Sequence, residues 1–342
     1  MKEFKIILVL SLFAAGSIRA QDPVFSQFYT SSLYLNPALS GLEKDIVFGI
    51  NYRNQWAGVN LPFRTFQFSA IHPIMQQGIR NKHLGGFGGT LFSDEAGPNR
   101  EVSTQGFSLA SSYNFHLNRN GNHLIATALQ FGVLQRRINM DAMQWSSQYS
   151  SSLGYDPSLP GETLIADQVT SPVIHAGLVW RLVIDNRFQP MKIFYNGFAV
   201  SNLNRPKGFF LDQRETSSIL YKVHGGYVHN FASGFEVSPN YLVQHQKDTQ
   251  INVGGYGAYT LPSVSSKTLT DLKLSLGFWY RVDDSFIVTT GISTSSWNVG
   301  FSYDANSSSL ERNFQGANAF EFSFAYKINI LKGVRKFSTP LI

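Results

Sequence analysis

Apolar and polar positions alternate strictly between Asn318 and Ile330. Phe320, Phe322, Phe324, Tyr326, Ile328 and Ile330 fall on one face, and Glu321, Ser323, Ala325, Lys327 and Asn329 on the other. A period of two is the mark of a β-strand. Trp297, Val299, Phe301 and Tyr303 repeat it against Asn298, Gly300, Ser302 and Asp304, and Leu272 to Val282 repeats it again. Strands are predicted at 45–56, 63–74, 80–93, 101–117, 122–137, 172–184, 190–201, 220–231, 234–246, 249–261, 271–283, 285–293, 295–305 and 318–330. These make about fourteen, an even number that suits a closed antiparallel barrel. Short turns at 118–121, 232–234 and 283–284 contrast with long loops at 141–170, 202–218 and 304–316, as expected when the two rims differ. The aromatic face should meet lipid, with Phe322, Phe324 and Tyr326 outward and Ser323 and Lys327 inward. In a wet lumen, arginine at Ser323 should be tolerated better than arginine at Phe324. The inward charges Lys273, Arg281, Glu321 and Lys327 could either line a pore or pin a plug.

Composition narrows the class. Only 15% of residues are charged, against roughly a quarter in soluble domains. Aromatic residues reach 14%, yet after Gly16 no apolar run is long enough for a membrane-spanning helix. A transmembrane antiparallel β-barrel meets all three conditions; a large soluble β-protein is the alternative. Residues 1–20 read as a signal peptide, with Lys2 and Lys5, an apolar run from Ile6 to Ala15, and cleavage after Ala20. An uncleaved anchor is the other reading. The chain has no cysteine, so neither lipid attachment through cysteine nor disulfides contribute. The formal charge of +6 shrinks when the leader removes three cations and one anion. The remaining arginines are dispersed, which argues against nucleic acid and is compatible with outer-membrane lipid.

Residues 21–44 do not alternate. Phe25, Phe28, Tyr29 and Leu33 follow helical spacing, and Asn36-Pro37 breaks the run. This segment is expected to tuck into the barrel mouth as a plug or hatch, with an extended periplasmic tail as the alternative. Pro37 can stop a helix without stranding a donor, Asn36 can bond the local backbone, and Gly41 can redirect the chain. Phe63, Arg64 and the run Arg53-Asn54-Gln55-Trp56 are the expected receiving surface. The barrel proper should then occupy 45–330, followed by a basic tail at 331–342. That tail reads as a frayed end or as a short contact for a periplasmic partner.

Several motifs stand in order along the mature chain: Gln21 to Phe28, Leu35-Asn36-Pro37-Ala38 with Gly41, and Tyr52-Arg53-Asn54-Gln55-Trp56. Gln67 to Ala70, Gly97-Pro98, Leu109 to Tyr113, Ser302-Tyr303-Asp304 and Glu321 to Tyr326 continue the set. Together they resemble the PorP/SprF family of type IX secretion proteins. The resemblance implies an outer-membrane barrel of Bacteroidota-type bacteria, serving export of large adhesins, gliding proteins and enzymes. Its implied partners are a secreted adhesin-type substrate with a C-terminal sorting domain, or subunits of the type IX machine. The Asn-Pro-Ala element is also similar to one in the N-terminal hatch of long-chain fatty-acid transporters. A channel for a small hydrophobic or polar solute is therefore the second functional reading.

No catalytic, cofactor or metal site is expected. There is no G-x-S-x-G, H-E-x-x-H or P-loop pattern. His224 and His229 are separated by an odd number, so one should face the lumen and the other lipid. His72 and His83 read as rim residues, and Asp283 and Asp284 as solvated turn residues.

Overall fold

A computed structural model describes residues 24–56, 58, 62–76, 82–150, 154–161, 167–186, 189–207, 216–261, 272–307 and 318–330. The signal peptide expected at 1–20 and the tail expected at 331–342 lie outside these residues. The strands are β1 Ile46–Gln55, β2 Phe63–Gln76, β3 Lys82–Ala96, β4 Val102–His116 and β5 His123–Ile138. After them come β6 Tyr149–Ser150 and β7 Gly154–Tyr155, then β8 Gln168–Asn186, β9 Gln189–Ser201, β10 Leu220–Asn230 and β11 Phe235–His245. The last are β12 Thr249–Thr260, β13 Lys273–Arg281, β14 Ser285–Ser293, β15 Trp297–Asn306 and β16 Ala319–Ile328. All except the short β6–β7 hairpin join one closed barrel of fourteen strands, each antiparallel to its sequence neighbour in the wall. Closure pairs β1 with β16, from Ile46 opposite Ile328 to Gln55 opposite Ala319. Closure leaves no strand edge unpaired, which a bilayer demands.

The strand count agrees with the alternation. Departures lie at strand ends: β3 runs to Ala96 rather than residue 93, and β8 starts at Gln168 rather than 172. In β3 the added residues are polar, with Asp94 opposite Thr104 and Glu95 opposite Ser103. Paired backbone there has no apolar stripe to announce it.

The two rims differ in loop length, though not uniformly. The rim where β1 starts and β16 stops, here the terminal rim, carries the short connections after β4, β10 and β14. The opposite loop rim carries the connections at 139–167, 202–219 and 307–318. The short turns at 246–248 and 282–284 share the loop rim with them, so Asp283-Asp284 lies on the opposite rim from the short turns at 118–121 and 232–234. The 261–272 connection also breaks the pattern, being long yet on the terminal rim.

Side chains divide as the alternation requires. On β16, Phe322 and Tyr326 are 42% and 44% exposed, whereas Glu321, Ser323 and Lys327 are buried. Phe301, Phe278, Leu276 and Phe131 add to the outer apolar face. The core of the molecule is inside the lumen. There Phe28, Leu35, Leu39 and Leu42 pack against Leu124, Val179, Tyr195 and Trp279 of the wall. His224 faces inward and is fully buried, while His229 packs between Tyr227 and Phe231 on the outer face. His83 stands near the terminal rim, at the start of β3, but is turned inward and only 5% exposed.

Placing a charge on the outer stripe should be costly. Phe324→Arg is expected to lower the unfolding free energy by about 2–4 kcal/mol if it lies near the bilayer midplane. A denaturant titration in lipid or detergent reads this; an unchanged midpoint would mean that the outward stripe is assigned to the wrong face.

Candidate functional site

The lumen is occupied by the chain's own N-terminal segment, Val24 to Glu43, nearly all of it buried. Residues 26–30 form turns, α1 Ser32–Leu35 is a single helical turn, and Pro37–Gly41 forms a 3-10 turn. Local chemistry explains the breaks. Asn36 adopts extended geometry before Pro37, as a residue preceding proline must. Its Oδ1 accepts from the Ala38 N–H at 2.9 Å, capping the second turn.

The remaining bonds of Asn36 leave the segment. Its Nδ2 donates to the carbonyls of Leu178 at 3.1 Å and Phe198 at 3.3 Å, and lies 3.0 Å from His224 Nε2. Gly177 and Gly197 make this approach possible. A Cβ on Gly177 would stand 2.0 Å from Asn36 Oδ1, and one on Gly197 would stand 2.2 Å from His224 Nε2. The receiving wall for Asn36 is therefore β8, β9 and β10, not the first hairpin. Gly41 serves space rather than backbone freedom, since it is not among the glycines with positive φ. A side chain there would meet Asn114 Oδ1 at 2.7 Å and Ser112 Oγ at 2.9 Å.

Nearer the loop rim, charged side chains converge on Ser26. Its backbone N–H donates to Glu321 Oε2 at 2.7 Å, and the Gln27 N–H donates to Glu321 Oε1 at 3.1 Å. The Ser26 hydroxyl donates to Asp304 Oδ2 at 2.5 Å and accepts from Arg53 Nη1 and from Arg281 Nη2. Arg53 also pairs with Asp304 at 2.9 Å and Glu321 at 3.5 Å, and Arg281 with Asp304 at 3.3 Å. Arg53, Arg281, Asp304 and Glu321 are each no more than 3% exposed. Ion pairs this deep hold only where hydrogen bonds also satisfy the charges, and here the segment supplies part of that satisfaction. On another part of the wall, Lys222 Nζ donates to the Tyr34 carbonyl at 2.6 Å and lies 4.2 Å from the centre of the Tyr34 ring. Tyr29 stacks on Trp279, with ring centres 5.5 Å apart.

The family model for the type IX secretion system membrane protein PorP/SprF matches residues 17–326. The chain belongs to the PorP/SprF family. As a membrane protein built as a closed barrel with an apolar exterior, it is an outer-membrane protein. No curated protein matches the chain. Its shape is similar to a Pseudomonas aeruginosa FadL homologue at 12% identity, covering 92% of this chain and 96% of that one with TM-score 0.47. It is also similar to the Ralstonia pickettii toluene transporter TbuX, at 11% identity, 87% and 93% coverage and TM-score 0.47. BamA from Haemophilus ducreyi lacking POTRA domains 1–3 is similar at 9% identity, 84% and 70% coverage and TM-score 0.40.

In this PorP/SprF chain the motif residues do not form one surface. Phe25 and Phe28 are 3% exposed within the segment, alongside Asn36, Pro37 and Gly41. Of Tyr52-Arg53-Asn54-Gln55-Trp56, Arg53 alone bonds the segment among the described residues. Tyr52 points outward beside Phe320, and Trp56, with φ 59°, packs edge-on against Phe63. No hydrogen bond links Phe63, Arg64, Asn54 or Gln55 to the segment among the described residues. Alternation, which turns strand neighbours to opposite sides, explains Tyr52, Asn54 and Arg64, which face away from Arg53; Gln55 and Phe63 share its face but sit at the ends of their strands. Of the inward charges, Arg281 and Glu321 hold the segment, whereas Lys273 pairs with Glu236 at 3.1 Å. Gly177 and Gly197 were not anticipated, and Asp304 and His224, though read for their facing, were not expected to hold the segment. Their signal was an inward parity shared with Glu321, on strands that sequence alone could not bring opposite the segment.

Ser323 is not in open water: its hydroxyl donates to Gln27 Oε1 at 2.9 Å. Ser323→Arg should therefore destabilise at least as much as Phe324→Arg, reversing the order expected for a wet lumen. Arg53→Met should lower stability by about 3–5 kcal/mol by leaving buried carboxylates unpaired. Adding Glu321→Gln should return part of that loss. Unfolding of the single and double variants checks both expectations.

Proposed function

We propose that this protein is a non-enzymatic component of type IX secretion. It supports export or surface attachment of a large secreted adhesin or gliding protein that carries a C-terminal sorting domain. The observation that carries the reading is family membership across nearly the whole chain. A physical feature supports it. The lumen holds residues 24–43 in a bonded, buried arrangement, so a large substrate does not share that space with the segment in place. The work then falls to the outer surfaces, above all the long connections at the loop rim, which face the cell exterior in barrels of this type. One of these connections shows Tyr149 at 67% exposure, along with Tyr155 and Leu159. Tyrosine is among the residue types that anchor protein interfaces.

Within this reading the N-terminal segment is a resident plug. Its bonds reach β1, β4, β8, β9, β10, β13, β15 and β16, so it ties opposite sides of the wall together while it closes the lumen.

Deleting the gene should abolish surface display of one or more large secreted proteins and leave other envelope functions intact. If display and gliding persist while uptake of a small solute is lost, the channel reading replaces this one. Removing residues 24–40 should raise the single-channel conductance of the reconstituted barrel or lower its melting temperature. Equal conductance and equal melting would mean that the segment is not a plug.

A further inference from the structure

A second cluster lies at the terminal rim, on a different wall from the Ser26 clamp. His116 of β4 stands opposite Leu124 of β5, and Leu124 stands opposite Arg181 of β8. The row therefore presents His116 and Arg181 to the lumen across three strands. His83 of β3 and Asn114 of β4 adjoin it, with Asn114 Nδ2 3.4 Å from His83 Nδ1. The same Nδ2 donates to the Gly41 carbonyl at 2.6 Å, which fixes the orientation of the amide.

Charge is unbalanced here. The charges acting on His83 are Lys44, Arg181 and His116, and those acting on His116 are Lys82, Arg181 and Lys44. Glu43 is the acid that reaches Arg181, and it also faces Lys327. Arg181 is 7% exposed and His83 5%. Arg181 makes no hydrogen bond or close ion pair with any described residue. Four buried polar atoms of the cluster have no partner: Arg181 Nε, His83 Nε2, His116 Nδ1 and Asn114 Oδ1. Buried charge is costly unless it is balanced and hydrogen-bonded, and buried polar groups are almost always satisfied. Glu43 is shared between Arg181 and Lys327, so the basic groups here outnumber the acid that reaches them and leave a demand for further negative charge.

We propose that this cluster is a binding site for a hydrogen-phosphate group, entered from the periplasmic rim. The chemistry selects the ligand. Arg181 and the two histidines supply N–H donors from separate strands, which suits a tetrahedral oxyanion better than a planar carboxylate. Asn114 Oδ1 is an acceptor, and a fully ionised sulfate or a phosphodiester has no O–H to give it. Hydrogen phosphate has both the oxygens for the donors and the O–H for Asn114. The group can arrive as the free ion or as a phosphomonoester on a lipid of the phosphatidic acid type.

The test is binding to the purified full-length barrel in neutral detergent, followed by isothermal titration and phosphorus NMR. Inorganic phosphate should bind about tenfold or more tightly than sulfate at equal ionic strength, as a site built around one hydrogen bond discriminates. Arg181→Gln should weaken phosphate binding by a similar factor without lowering the melting temperature measured in phosphate-free buffer. A purely structural arginine would lower that temperature with or without phosphate. Should Arg181→Gln fail to fold, His116→Gln is the second variant and should also weaken phosphate binding. Vesicles containing phosphatidic acid, compared with vesicles containing phosphatidylglycerol, separate the sources. Binding of free phosphate identifies the ion, and retention by phosphatidic acid vesicles alone identifies a lipid-borne monoester. Equal responses to phosphate and sulfate, no binding in either arm, or variants that bind like the native chain would overturn the proposal.

Discussion

Everything inside this barrel depends on how buried charge is satisfied. Arg53, Arg281, Asp304 and Glu321 project into a space almost shut off from water. Left to one another, two cations and two anions would still lack hydrogen-bond partners in several directions. The Ser26 hydroxyl and the Ser26 and Gln27 amides fill several of those directions, while Arg53 Nε, Arg281 Nε and Asp304 Oδ1 stay without a partner. The wall therefore requires the segment as much as the segment requires the wall. Buried ionic groups are a poor source of net stability but a good source of specificity, because only one placement satisfies them. The apolar residues Phe28, Leu35, Leu39 and Leu42 supply burial; the charges and Asn36 decide where the segment sits.

The barrel was legible in the sequence because lipid enforces alternation on the outer face. Phe322, Phe324 and Tyr326 could be oriented from their spacing alone. The helical turn ending at Leu35 and the Asn36 cap were legible for a similar reason, since both depend on near neighbours. What could not be read was the partner of each inward group. The Asn36 receptors Leu178, Phe198 and His224 are 142, 162 and 188 residues away, and no local rule links such positions. Gly41 shows the limit from another side. Glycine suggests a special backbone angle, but here it marks a crowded approach to Asn114 and Ser112. The inner face also misled through its composition. Serine, asparagine and glycine suit a wet pore, yet they equally suit a wall that hydrogen-bonds a second layer of polypeptide.

That second layer changes what the barrel can be. Its lumen behaves as the core of a globular domain, with apolar packing in the middle and an ionic cluster toward each rim. The two clusters differ in kind. The one near the loop rim is balanced, two acids against two arginines. Both contain buried polar atoms without a partner, but the one at the terminal rim has an excess of basic groups. A balanced cluster holds structure; an unbalanced one favours the approach of a counter-ion.

The bond from Ser26 to Glu321 spans 295 residues, and its companions come from β1, β13 and β15. The amino-terminal segment is made first by the ribosome, yet its anchoring site does not exist until β16 meets β1. Loops of this length close late because chain entropy opposes them until other contacts have formed. The segment must therefore wait through insertion of the whole wall, with its aromatic residues needing shelter in the meantime. Its seating then records a finished event: a barrel that has zipped shut has a clamp for Ser26, and one that has stalled with an open seam does not.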